Sequence, residues 1–438
     1  MSGPLRVAGA VRVWDAHGGD RSGDLVCDPV TGRFLPDLPT TADLLDATGC
    51  VITPGLVNAH HHLLQSAFRS LPGTRGVPMR EWLPVMGAAY RRTGVDAELA
   101  AAAANVGLAE SLLRGVTTVA DHHLTWPPGA DDVALASAVA AAAGSLGARL
   151  VFVRGSAGDD PEAAASSAAA IVATLAPGGV SPDGFLQVAV GPAGVHSDSK
   201  ETFARLGEVA ARHGLRRRTQ ANEQVDVAVA QERYGRRPLD LLDEWGWLAP
   251  DVTIAHLCEI TPDELRRVAA SGACATHAPG CDLPMGWGVA PAAALSDAGV
   301  ILGLGTSGGG SNDAGHLLAD ARLAMQVAPL AGRPVAAREV LGWATAGSAL
   351  GLGRPELGSL APGAAADLVC WPVDGVADAG VADPVGGLLW ADPGRRPRHV
   401  VVAGRVVVRD GQLITADADA IARDLRSLLL HRAGLSGS

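Results

Sequence analysis

Residues 54–62 of this 438-residue chain read PGLVNAHHH: a turn, a short apolar run and three consecutive imidazoles. In a strand, side chains two apart share a face, so His60 and His62 project together while His61 points elsewhere. Two imidazoles side by side at the carboxyl end of a barrel strand form half of a metal site.

Working outward from this run, the downstream chain alternates short apolar segments with Ala/Leu-rich helical ones. The apolar segments are TTVADHH (117–123), RLVFVRG (149–155), LQVAVGP (186–192), RRRTQANE (216–223), VTIAHL (252–257), ACATHAP (273–279) and VILGLGT (300–306). AELAAAAANVGLAESLLRG (97–115) is typical of the helices between them. Strands alternating with helices predict parallel βαβ units, and eight strands over about 300 residues predict a closed (β/α)8 barrel. An open doubly wound sheet is the alternative, but no Gly-rich phosphate fingerprint follows the first strand. Both chain ends have a different texture. LRVAGAVRVWD (5–15), DLVCDPVTGRF (24–34) and DLLDATGCVITPG (43–55) read as short strands and turns, as do ADLVCWPVD (366–374) and RHVVVAGRVVVRDGQLI (398–414). The expected organisation is therefore an α/β barrel at 54–353, with 1–53 and 354–438 forming one small β-sandwich.

Hydrophobic residues make up 48% of the chain, enough for a large core. A formal net charge of −11 gives no electrostatic reason to seek nucleic acid or an anionic membrane. Lys200 is the only lysine. None of Cys27, Cys50, Cys258, Cys274, Cys281 and Cys370 forms a CxxC pair, so the expectation is reduced thiols in a cytoplasmic protein. No signal segment opens the chain and no apolar run approaches the ~18 residues of a membrane span.

Longer stretches carry a resemblance. PGLVNAHHHLLQSAFRSLPG (54–73), GVTTVADHH (115–123), ERYGRRPLDLLDEWGWLAPDVTIAH (232–256), GLG (303–305) with GGSNDAGHLL (309–318), and GSLAPGAAADLV (358–369) follow in order along nearly the whole chain. They resemble the amidohydrolase superfamily in its aminohydrolase branch, the group of 8-oxoguanine deaminases and hydroxyatrazine-type hydrolases. That resemblance implies one metal, usually zinc or iron, held by an HxH pair on strand 1, a histidine on strand 5 and an aspartate on strand 8. His60 and His62 match the pair. The strand-5 HxxE motif reads QANE, so Gln220 stands in the histidine's place and Glu223 matches the glutamate that protonates a ring nitrogen. The strand-8 GLGxDG motif reads GLGTSG, which puts Ser307 in the aspartate's place. His256 matches the strand-6 histidine.

These replacements weaken the site chemically. A neutral amide oxygen is a poor zinc ligand beside imidazole, and a serine hydroxyl binds feebly unless deprotonated. Serine also cannot act as general base near pH 7 in place of the aspartate. The cofactor expectation is thus one weakly bound divalent metal, zinc, or none. Three arrangements remain open: a metal on His60, His62, His256 and Glu223; Asp313 swinging in as a substitute carboxylate; or a metal-free acid/base pair of Glu223 and His256. Gln65, His123, His196, Glu259 and His277 are candidate substrate contacts. His196 lies with Ala193 and Gly194 in a stretch that differs from the relatives, and Asp121, His122 and His123 end strand 2, where only one of the two histidines can face inward. Trp82 and Trp287 are candidates for an aromatic lid.

Three functions follow. The first is C–N hydrolysis or deamination of a flat nitrogen heterocycle of the oxopurine, pterin or triazine kind. The second is a metal-independent tailoring enzyme using Glu223 and His256 for ring opening, elimination or rearrangement. The third is a non-catalytic heterocycle-binding protein, which would have no need of a proton-transfer pair. The expected partner is a small-molecule heterocycle, with a homodimer as the expected assembly.

Overall fold

In the computed structural model, which describes residues 3–435, eight parallel strands form a closed barrel. They are Leu56–His62, Val116–His123, Arg149–Ser156, Leu186–Pro192, Arg217–Ala221, Val252–His256, Cys274–His277 and Leu302–Leu304. Each pairs with the next in chain order. Closure is made by a break in the eighth strand. Leu302–Leu304 pairs with the seventh, and the two-residue strand Ser307–Gly308 then pairs with His61 and His62 of the first. The break needs Gly305, where a Cβ would come within 2.7 Å of both the Cβ and carbonyl oxygen of His60. The second and third strands are buried along their whole length, as expected for strands covered by helices outside and side chains inside.

The barrel's lower interior is packed by Val57, Ala120, Val151, Val153 and Ala189, closed below by Ala349 and Leu352. Val57 and His60 have opposite parity, yet both face inward. A bulge reconciles them: Asn58 pairs with Val119, but the next pair is His61 with Asp121, so two residues oppose one.

Around the barrel, helix starts are capped. Asp96, Asp131, Asp160 and Ser199 each accept from a backbone N–H of the first turn, and Thr261 with Glu264 forms a capping box.

The remaining strands build a β-sandwich. One sheet has four strands, all from the first 46 residues; the other has seven and draws on both chain ends. At its centre Cys50–Pro54 pairs antiparallel with Leu368–Pro372. Leu5, Val7, Leu25, Phe34 and Leu45 of the smaller sheet meet Val13, Ile52, Leu368 and Val401 of the larger in a separate core. Cys27, Cys50 and Cys370 are buried there as free thiols. The C-terminal stretch also carries helices Pro384–Trp390 and Ala418–Arg432, where the sequence reading had only strands. Ile421, Leu425, Leu428 and Leu429 recur at helical spacing and pack on the main core, and Arg432 pairs with Asp96 and Glu98 beside the Ala97–Leu113 helix. Among the described residues no helix is long and apolar enough to cross a membrane.

Candidate active site

The bulged first strand brings His60 and His62 to the carboxyl end of the barrel, their rings edge to face with centroids 4.8 Å apart. The Nδ1–H of His62 donates to the His122 carbonyl at 2.7 Å, which leaves its Nε2 with the lone pair. His60 Nε2 is buried and without a partner among the described residues. His61 turns the other way and donates to the Ser307 carbonyl at 2.5 Å, tying the first strand to the eighth. Burial keeps these rings neutral, pushing His62 down to about 4, His61 to about 3 and His60 well below the usual range.

On the second strand His122 faces inward, in step with Ala120, and its centroid lies 5.9 Å from His60 and 6.0 Å from His62. His123 instead packs against Trp126 and Phe152.

Strands five to seven supply the polar network. The Gln220 amide nitrogen donates to the Ala193 carbonyl at 3.2 Å, so its Oε1 faces His256 Nε2 at 3.1 Å and that nitrogen must carry a proton. His256 Nδ1 lies 2.7 Å from Asp282 Oδ1. Both ring nitrogens are therefore donors. Burial opposes the charge on His256, but Asp282 and then Glu223 outweigh it and its pKa is raised. Glu223 Oε1 lies 3.6 Å from His256 Nε2, and neither Glu223 oxygen has a hydrogen-bond partner among the described residues. Burial pushes its carboxyl up to about 7, and burial also holds neighbouring Asp226 well above its usual range. The strand ends here are conformationally unusual. Asn222, His256, Leu257 and Ser307 all have φ between +54° and +75°, a left-handed region that non-glycine residues rarely adopt.

A cavity of about 270 Å³ opens above this network, walled by His62, Gln65, Trp82, His196, Gln220, Cys281, Trp287 and Ser307. Trp287 meets His256 edge to face at 5.1 Å, and Trp82 donates to the Gly310 carbonyl at 3.1 Å. Gln65 accepts from the Gly310 N–H at 3.0 Å. His60, Glu223 and His256 do not reach the wall; the hydrogen bond from His256 to Gln220 ties them to it. A second cavity of about 600 Å³ shares His62, Gln65, Trp82 and Leu124, and His122, His123, Tyr90 and Trp126 also line it.

Three expectations need correction. Glu259 is exposed and lines neither cavity, because the left-handed turn at His256 and Leu257 carries the chain away from the pocket. His277 is buried behind Asp282, its Nδ1 3.8 Å from Oδ2, and does not line the pocket. Asp313 cannot serve as the substitute carboxylate: it accepts from the Ser70 N–H and is paired with Arg75.

The sequence profile of the Amidohydrolase family matches residues 51–407. The chain belongs to the amidohydrolase family. Within it, the chain is 33% identical to 8-oxoguanine deaminase of Pseudomonas aeruginosa, covering 97% of this chain and 96% of that protein. An isoxanthopterin deaminase from an unknown prokaryotic organism is 31% identical, over 88% and 86% of the two chains. Among solved structures, a triazine hydrolase variant superposes with a TM-score of 0.92 at 32% identity, over 98% of this chain and all of that one. The atrazine chlorohydrolase of Arthrobacter aurescens, solved with zinc, superposes with a TM-score of 0.90 at 32% identity, over 97% and 100%. These similarities put the chain in the family's deaminase branch, among C–N hydrolases.

Against that background the family's metal does not fit these residues. Only His60 and His62 of the four ligand positions offer imidazole. The Gln220 amide is engaged at both ends, and the Ser307 hydroxyl hydrogen-bonds the Cys281 thiol. His256 offers no lone pair to a cation. Arg218, which sequence reading passed over, is a buried guanidinium one alternation step below Gln220. It donates to the Ala59 carbonyl, and its charge helps to depress His60 and His122. A divalent ion placed here would face two protein cations. Among the described residues, His256, Cys281 and Asp282 gather ligand atoms within 4.8 Å. However, a hydrogen bond occupies the His256–Asp282 contact, and burial and then Asp282 hold the Cys281 thiol far above its ordinary range, in its protonated form.

Proposed function

We propose that this amidohydrolase hydrolyses a C–N bond at an amidine or cyclic-amide carbon of a flat nitrogen heterocycle of the oxopurine, pterin or triazine kind, without a tightly held metal. The observation that carries this reading is Glu223: a fully buried, unpartnered carboxyl raised to about 7 beside a donor imidazole. Such a group is a proton donor matched to neutral pH. Trp82 and Trp287 on the cavity wall suit a flat ring, and the relatives that deaminate 8-oxoguanine and isoxanthopterin support an oxo-heterocycle.

In this reading the Gln220 side chain turns aside as the ring enters, and the oxygen of the attacking water takes its place as acceptor of the His256 Nε2–H. Glu223 protonates a ring nitrogen, which makes the adjacent carbon electrophilic. His62 Nε2, with its lone pair facing the cavity, orients the attacking water and takes its proton, which is then passed to the leaving amine. The net change is C–NH2 plus water giving C=O on the tautomerised ring plus ammonia.

The experiment is ammonia release from 8-oxoguanine, isoxanthopterin, 5′-methylthioadenosine and an aminotriazine, with protein assayed before and after dialysis against a chelator. The expected result is ammonia from at least one oxo-heterocycle at a rate that dialysis leaves unchanged. No ammonia from any of them overturns the hydrolytic reading. Loss of activity on dialysis, restored by zinc, overturns the metal-free one.

A further inference from the structure

The carboxylate missing from strand 8 has a counterpart elsewhere in this pocket. Ser307 cannot carry negative charge, but Asp282, at the end of the short Pro279–Asp282 helix after strand 7, places Oδ1 2.7 Å from His256 Nδ1. Asp282 and His256 are both fully buried at the side chain. On the other side of the ring, the orientation of the Gln220 amide requires a proton on Nε2. An imidazole donating from both nitrogens is an imidazolium, and a buried imidazolium persists only beside a fixed anion. Among the described residues no other carboxylate meets its Nδ1: Glu223 approaches from the Nε2 side at 3.6 Å.

We propose that Asp282 is a positioning residue that holds His256 doubly protonated, so that an imidazolium supplies, at the water oxygen that adds to the reacting carbon, the positive charge that a metal would otherwise supply. The inference rests on the hydrolytic reading above and adds to it the source of oxyanion stabilisation. A preorganised, buried cationic donor stabilises the tetrahedral oxyanion much as a dedicated oxyanion-hole donor does. It requires no hydroxide-binding ion, which the pair of Arg218 and His256 would in any case repel. Water remains the nucleophile: its proton passes to His62 Nε2 and leaves with the ammonia, and Glu223, having given its proton to the ring nitrogen, regains one from the new C–OH as it becomes C=O.

The test uses the full-length protein with ¹⁵N-labelled histidine at pH 7.5, the His256 signals being assigned with His256→Gln. In the native protein both His256 nitrogens are expected to be protonated; in Asp282→Asn, only one. The same variant is expected to lose roughly 10²–10³-fold in kcat, the range for removing one oxyanion donor, with KM changed less than about 3-fold. Asp282→Glu is expected to keep both protons and at least about a tenth of kcat, and it carries the test if Asp282→Asn does not fold. A native His256 with a single protonated nitrogen overturns the proposal, whatever the substrate proves to be. So does undiminished kcat in Asp282→Asn, or a stoichiometric metal bound through His256 and Cys281. A protein that hydrolyses no heterocycle but shows the doubly protonated ring overturns the functional reading instead, and leaves the assignment of Asp282 to His256 standing.

Discussion

At the scale of single residues, the proposed chemistry turns on Glu223 and on Gln220, Ser307, Arg218 and Asp282 around it. Glu223→Gln should lower kcat at least 10³-fold with little change in folding, because an amide keeps the shape and cannot donate the proton. The acid must be protonated to work, and its pKa is raised to about 7. kcat/KM should therefore fall as pH rises through about 7; a profile still climbing at pH 9 would remove Glu223 from that role. Metal occupancy gives a second test. Restoring Gln220→His with Ser307→Asp rebuilds the ligand set, but Arg218 stays beneath it. Zinc measured after dialysis should remain below one equivalent in that double variant and rise when Arg218→Gln is added; full occupancy without the third change would show that Arg218 does not matter. The sequence made His60, His62, Gln220, Glu223, His256 and Ser307 legible because each stands in a motif at a strand end. Asp282 was not legible, since it ends a four-residue helix after strand 7 that is too short to show a periodicity. Arg218 could have been found, as it shares a strand face with Gln220.

At the scale of elements, the first and eighth strands meet at a tight seam. A methyl group at position 305 would strike His60 backbone and Cβ atoms, which cannot rotate away. Gly305→Ala should therefore cost about 1–3 kcal/mol and displace His60, lowering the melting temperature and activity together; a fully active, equally stable Gly305→Ala would show that the seam yields. Strand alternation correctly paired His60 with His62, but it could not reveal the bulge that lets Val57 face inward as well. A bulge depends on the register of a neighbouring strand, and one strand's pattern does not contain it. The same limit applies to Glu259. Counting three residues beyond His256 assumes that the chain keeps its direction, and two left-handed residues reverse it. In helix Ala418–Arg432 the helical spacing of Ile421, Leu425, Leu428 and Leu429 follows directly on a strong strand pattern, which masks it in the sequence.

Across the whole molecule, the barrel and sandwich were legible because eight apolar runs and two β-rich ends are long-range patterns that no single residue can spoil. The number of buried imidazoles sets how stability depends on pH. His61, His62, His122, His123, His196 and His277 are held at about 3–4 by burial, against 6.5 for a free ring. Between those values the unfolded chain binds the extra protons, so this contribution is complete above pH 6.5 and is lost as pH falls toward 4. Asp121, Glu223 and Asp320, raised to about 7 by burial, act in the opposite sense between about 4 and 7. The imidazoles outnumber them, and the melting temperature should rise from pH 4.5 to 6.5. A higher melting temperature at pH 4.5 than at pH 7 would contradict this balance.

The central strand pair of the larger sandwich sheet joins residues 50–54 to 368–372, and residue 56 is already the first barrel strand. During synthesis, then, the segment leading into the HxH pair waits for roughly 300 further residues, on the order of 15–60 s at ~5–20 residues per second, before its partner leaves the ribosome. Until that moment Cys50–Pro54 is an apolar strand with an open edge, a template for the wrong neighbour. A chain ended before residue 368 would have to leave that edge uncovered, and should aggregate rather than persist as a bare barrel. In the cell, the assembly of the pocket is thereby tied to completion of the polypeptide.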